Sequence, residues 1–303
     1  MLVAVLLAFL CCLGSAAAGK VLVIPMEGSH WLSMKEVLIE LSKRGHEIIV
    51  MAPEMKTIVD SSEWYTLRTY PVPLKEEEME ELLHSLTANS FNDQPFIYRF
   101  LNIWDIFKKS SALFEVACSS LLHNKEMMKF IEESKFDVLF TDPVTPCGQI
   151  IALHFSIPSA FFLRAIPYFE ATQCPNPPSY VPRGFTEHTD HMSFLQRVKN
   201  LVFDVQNFFL CDFMYQPYSK LASELLQRDV TVLDLLRKAS VWLLRLDFVL
   251  DYPRPLMPNI ILIGGVNCAH KQLPQVGRAP FLLLFLTDWF PRDFLFLHKK
   301  LLF

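Results

Sequence analysis

The chain of 303 residues contains no Cys-x-x-Cys pair, no long basic run, no G-x-G-x-x-G string, no internal repeat and no low-complexity tract. Each absence removes a class of function. Without cysteines at ligand spacing, neither a zinc site nor a small disulfide scaffold is indicated, and no metal is expected. A formal charge of −4 with no basic cluster leaves nothing to meet a phosphate backbone, so no nucleic-acid partner is expected. The missing glycine fingerprint after the first apolar run argues against a bound dinucleotide, and no cofactor is expected. What the chain does have is apolar side chains: at 51% of residues they suffice to bury one large core or two modest ones.

The opening stretch, MLVAVLLAFLCCLGSAAAGK, holds an apolar core of signal-peptide length, followed by Ala16, Ala17 and Ala18, small residues suited to cleavage. A membrane-spanning helix needs about 20 apolar residues, and this run breaks into small residues too early. Residues 1–18 are therefore read as a signal peptide that sends the chain into the secretory pathway. Five cysteines follow it: Cys118, Cys147, Cys174, Cys211 and Cys268. An oxidising compartment allows bridges among them, the odd number leaves at least one thiol unpaired within the chain, and spacing does not give the pairing.

Lys20 to Pro25 is a short apolar run rich in β-branched residues, which predicts a strand buried on both faces. After the turn MEGSHW, the residues Met34, Val37, Leu38 and Leu41 fall on one helical stripe, with Gly45 as the stop. Glu47 to Ala52 is a second apolar strand, and strand, helix, strand at this spacing is a βαβ unit with parallel pairing. Tyr65 to Tyr70 reads as a third strand, and KEEEMEELLHSL as a helix with a solvated acidic face. Pro95 to Lys135 has helical spacing and many aromatics, among them Phe96, Phe100, Trp104, Phe107 and Phe114, which either fill the core or wall an apolar pocket. Phe136 to Asp142 is a fourth strand, CGQIIALHF a helix, and Ile157 to Leu163, Ser240 to Leu246 and Asn259 to Gly264 are further strands. Alternation of this kind predicts an α/β fold with a doubly wound, Rossmann-like parallel sheet.

In such sheets the strand order 3-2-1-4 makes strands 1 and 4 neighbours, and ligands bind beyond their carboxyl ends. His30 follows strand 1 and Asp142 ends strand 4. A carboxylate on one imidazole nitrogen fixes the tautomer and stabilises the imidazolium formed when the other nitrogen takes a proton, so the two residues make a candidate general-base pair. A purely structural alternative stands beside this: His30 hydrogen-bonds within its turn, while Asp142 caps a helix whose first residue is Pro143.

Several stretches together resemble the amino-terminal half of the UDP-glucuronosyltransferases, closest to the family 1, phenol- and bilirubin-conjugating branch. They are GKVLVIPMEGSHWLSM, RGHEIIVMAPE, FDVLFTDPVTPCG, ATQCPNPPSYVPR, DHMSFLQRVKN, ASVWLLRLDFVLDYPRPLMPN and IGGVNCAHK. The resemblance implies half of a GT-B glycosyltransferase, with acceptor in the first domain and UDP-glucuronic acid as co-substrate in the second. It implies that His30 is the general base for small lipophilic acceptors and that Asp142 is its partner. Ser29, Trp31, Phe162 and Arg164 are expected acceptor-binding residues. It further implies a membrane-associated protein on the lumenal side of the endoplasmic reticulum.

The match runs from the signal peptide to about residue 275, so residues 19–275 are read as the acceptor-binding domain and 276–303 as a divergent apolar tail. A donor domain is not expected within this stretch, and the chain alone is expected to be inactive. The tail's apolar run, Phe281 to Leu286, is too short to span a bilayer, whereas contact with a membrane surface is open to it. The segment Leu201 to Pro217 is either a second membrane contact or an amphipathic helix on the core. A second functional reading is a non-catalytic isoform that pairs with full-length family members and lowers their activity.

Overall fold

In the computed structural model, residues 18–55, 58–91, 95–164, 176–183, 186, 188–249 and 251–268 are described. They contain seven strands: β1 (Lys20–Ile24), β2 (Glu47–Pro53), β3 (Thr66–Tyr70), β4 (Val138–Thr141), β5 (Ser159–Leu163), β6 (Val241–Leu244) and β7 (Ile260–Leu262). All pair in parallel in the order β3-β2-β1-β4-β5-β6-β7, which is the doubly wound arrangement expected from the alternation of elements. The stretch 1–18 read as a signal peptide lies outside the described residues except for Ala18. Contacts divide the chain into units 1–267 and 268–303, and the second, apart from Cys268, is also outside them.

Parallel strands are buried on both faces, so their sequences run apolar rather than alternating. Val21, Val23, Val50, Phe140 and Phe162 face one layer, packed with Trp31, Met34 and Leu38 of α1 (Ser29–Lys43). Leu22, Ile24, Ile49, Met51, Leu139 and Phe161 face the other. There they meet α4 (Lys125–Ser134), α5 (Cys147–His154), α6 (Phe194–Leu226) and α7 (Val232–Leu236) through Ile131, Ile150, Ala222 and Leu235. Two more helices, α2 (Glu76–Phe91) and α3 (Phe96–His123), pack on one another beside the carboxyl ends of β1 to β3. The charged residues Glu76, Glu77, Glu78, Glu80 and Glu81 of α2 are exposed while Met79 and Leu82 are buried, the solvated acidic face its sequence predicts.

Helix α5 lies close against β4 because residue 148 is glycine. A Cβ there would stand 2.6 Å from Thr141 Cβ. Helix α6 begins earlier than its apolar pattern suggested, at a capping box in which Ser193 and Gln196 satisfy each other's backbone N–H groups. Its carboxyl part seats Tyr215, Tyr218 and Leu221 in the core. Its first turns expose Phe194, Leu195, Val198, Leu201 and Val202. The short α7, which the sequence reading did not anticipate, is held by a second capping box, Thr231 with Asp234.

Candidate active site

Two strand ends build the centre of the site. Ile24 is in register with Thr141, and Thr141 Oγ1 donates to Ile24 O at 2.8 Å in the buried sheet. The chain leaving β1 turns at Gly28, whose φ of 74° suits glycine, and enters α1 at Ser29. His30 therefore sits in the first turn of the helix, not in a turn before it as the sequence pattern suggested. The chain leaving β4 supplies Asp142.

His30 Nδ1 and Asp142 Oδ2 are 2.6 Å apart. Asp142 is wholly buried and His30 keeps a quarter of its side chain exposed. The second carboxylate oxygen, Oδ1, accepts from Val144 N at 2.9 Å. Asp142 thus closes an Asx turn two residues on, and α5 starts only at Cys147 after Pro146, which corrects the alternative in which Asp142 caps a helix beginning at Pro143. With Nδ1 engaged by the carboxylate, Nε2 is the nitrogen left to exchange a proton.

The other expected site residues divide into two groups. Ser29 and Arg164 are exposed on the rim, where Arg164 Nη1 donates to Ser29 Oγ. Trp31 and Phe162 are elsewhere than expected: both are fully buried in the layer under α1, Trp31 edge-on to Tyr65 with ring centroids 5.6 Å apart and Phe162 against Phe140 at 5.7 Å. Both side chains pack in the buried layer between α1 and the sheet, so they support the site from beneath and offer no surface to an acceptor.

Three further features come from the tertiary structure. Arg245, the residue after β6, donates through Nη1 to Ser33 Oγ, and Ser33 in turn donates to Ser29 O at 3.0 Å. Its signal was its place directly after an apolar strand, the same place Asp142 holds. An apolar cleft opens beside β1, lined by Ile24, Pro53, Met55, Met79, Leu113 and Phe114, with Glu27 and Thr145 also in its wall. Of the aromatics expected to wall a pocket, Phe114 does so, Trp104 and Phe107 are half-buried, and the side chains of Phe96 and Phe100 lie outside those described. The third feature is the disulfide Cys118–Cys147, which ties α3 to the first residue of α5 and forms part of the cleft wall. The Cys268 thiol is free and exposed, and Cys174 lies outside the described residues, as does the Cys211 side chain. Among the described residues no group of His, Cys, Asp or Glu is arranged to hold a metal ion.

The doubly wound sheet and a histidine–carboxylate pair at its switch point define an α/β protein with a candidate ligand site at the carboxyl edge of β1 and β4. The profile of the family described as "UDP-glucoronosyl and UDP-glucosyl transferase" matches residues 19–278, and the chain belongs to that family. It is 53% identical over 267 residues to UDP-glucuronosyltransferase 1A1 of Homo sapiens, covering 86% of this chain and 50% of that protein. With UDP-glucuronosyltransferase 1A1 of Rattus norvegicus it shares 48% over 268 residues, covering 87% of this chain and 50% of that one. The chain spans about half the length of the curated relatives it matches. Among solved structures, the glycosyltransferase of kitacinnamycin overlays with a TM-score of 0.46 at 14% identity, covering 82% of this chain and 51% of that chain. The glycosyltransferase VinC overlays at 0.43 and 15%, covering 78% and 51%.

Proposed function

We propose that this chain carries the acceptor side of a UDP-glucuronosyltransferase, with His30 as general base and Asp142 as the group that orients it. His30 Nε2 takes the proton of a lipophilic phenol, alcohol or carboxylic acid. The acceptor oxygen forms a bond to the anomeric carbon of UDP-glucuronic acid, the bond from that carbon to the UDP oxygen breaks, and UDP leaves with the electron pair, with inversion. The observation that carries this reading is the 2.6 Å contact between a partly exposed imidazole and a fully buried carboxylate, held just beyond the ends of adjoining parallel strands. The carboxylate stabilises the imidazolium that proton transfer creates, and transfer of this kind contributes about 10² to 10⁴ in rate. Ser29 and Arg164 border the acceptor on the rim, and the apolar cleft beside β1 receives its hydrophobic body.

Binding of UDP-glucuronic acid belongs to a donor half that the described residues do not include. We also propose that the chain works on the lumenal face of the endoplasmic reticulum membrane. The exposed stripe of Phe194, Leu195, Val198, Leu201 and Val202 on α6 supports contact with a membrane surface. No helix among the described residues is long and apolar enough to cross a membrane.

The test is glucuronidation of a simple phenol in microsomes. The chain joined to a family donor half is expected to turn over, and the His30→Ala form of the same protein to lose activity at least about a hundredfold while keeping its circular dichroism spectrum. Equal turnover by the two forms would refute the assignment of His30.

A further inference from the structure

Glu27 stands apart in the cleft beside β1. Its neighbours in the wall include Met26, Met55, Leu74, Met79 and Phe114, and among the described residues that line the cleft it is the sole carboxylate. It shares the β1–α1 turn with His30. Ile58 N donates to its Oε1 at 2.8 Å, which fixes the carboxylate in place against the segment after β2. Such a wall withholds the hydration a carboxylate has in water, and burial raises its pKa from the ordinary 4.5 even though the backbone N–H groups of Ile58 and Gly28 favour the charged form.

We propose that Glu27 is a specificity-determining residue that favours acceptors carrying a protonated amine, with the amine seated in the cleft and the hydroxyl directed toward His30. This deepens the acceptor reading above and rests on it. In surroundings less polar than water, attraction between an ammonium and a carboxylate is stronger than in bulk solvent. An ammonium restores to Glu27 part of what desolvation removes. An alkyl group in the same place leaves the carboxylate without that partner, and an anionic acceptor adds a like charge. Because Ile58 already holds the carboxylate, little ordering remains to be done when the ligand arrives.

Equilibrium dialysis of the 303-residue chain against three probes of similar size tests this: 4-(2-aminoethyl)phenol, 4-propylphenol and 3-(4-hydroxyphenyl)propanoate. The variant is Glu27→Gln, which removes the charge and keeps an oxygen to accept from Ile58. Wild type should bind the amine more tightly than the propanoate. The ratio of amine to propylphenol affinity should fall about tenfold in the variant, the scale of a hydrogen bond to a charged group. Binding of the amine and of propylphenol with an unchanged ratio overturns the role of Glu27 and leaves the acceptor reading standing. If none of the three phenols binds wild type, the acceptor reading falls and this proposal with it. Should the variant fail to fold by circular dichroism, the wild-type comparison decides, since equal affinity for amine and propanoate also overturns it.

Discussion

The rim of the sheet has two unlike halves. Beyond β1, β2 and β3 lies an apolar cleft with a single carboxylate among its described wall residues, closed by α2, α3 and the Cys118–Cys147 bridge. Beyond β4, β5 and β6, each strand is followed directly by a charged residue: Asp142, Arg164 and Arg245. His30 sits at the boundary, with its ring joined to the charged half through Asp142 and its turn joined to the apolar half through Glu27. One half is suited to hold a greasy molecule and the other to manage charge. Parallel pairing produces this division, because it delivers the residue after every strand to the same edge however far apart the strands lie in sequence.

The contrast is sharpest at Asp142. In a protein that includes a donor half, Asp142→Asn should keep the Val144 N contact through its carbonyl oxygen but present an amide to His30. The imidazolium then loses its counter-charge, and the tautomer is no longer enforced. The rate of phenol glucuronidation should fall about 10² to 10⁴ with chain stability little changed. An unchanged rate would mean that the charged half takes no part in the chemistry.

A smaller effect is expected from the bridge. Cys118 and Cys147 are 29 residues apart, and closing a loop of that size removes unfolded-state entropy worth about 3 to 4 kcal/mol on the chain-entropy account. Replacing both with serine should lower the urea midpoint accordingly, and phenol binding should weaken because the cleft wall is no longer tied to α3. If phenol affinity is untouched at a temperature where the variant is folded, the bridge secures the fold without shaping the cleft.

The smallest effect concerns Glu27 and pH. Its carboxyl takes up a proton more readily in the folded chain than in the unfolded one, since burial raises its pKa above 4.5. Its contribution to stability is therefore greatest below that value and is lost as pH rises through the raised one. Glu27→Gln removes this titration. The stability of the variant relative to wild type should climb across that window and level off above it, as read from thermal melts at stepped pH. A flat difference would show that the apolar half does not desolvate this carboxylate.

Much of the frame could be read in advance. Apolar runs such as VLVI and EIIVMA specify buried strands, and the stripe of Met34, Leu38 and Leu41 specifies a helix, because periodicity is a local property of the chain. The switch-point rule then brought His30 and Asp142 together, and their side chains do touch. Trp31 and Phe162 show where that reasoning runs out. Each lies within two residues of a rim residue in sequence, yet the packing of α1 on the sheet seats both side chains in the buried layer between them. The pairing of Cys118 with Cys147 was equally closed to inspection, as any of the cysteines were candidates until α3 and α5 were packed. Arg245 could have been suspected from its place after β6, but its reach to Ser33 depends on how α1 lies across the sheet.

By itself the sequence determined the parallel α/β architecture and the meeting of an imidazole with a carboxylate at its edge, because strand order and hydrophobic period follow from local pattern and chirality. Only the tertiary structure decided which neighbours of that pair face outward, which cysteines join and where Glu27 finds itself. Those outcomes depend on the packing of helices that are distant in the chain, and no local pattern encodes the angle at which they meet.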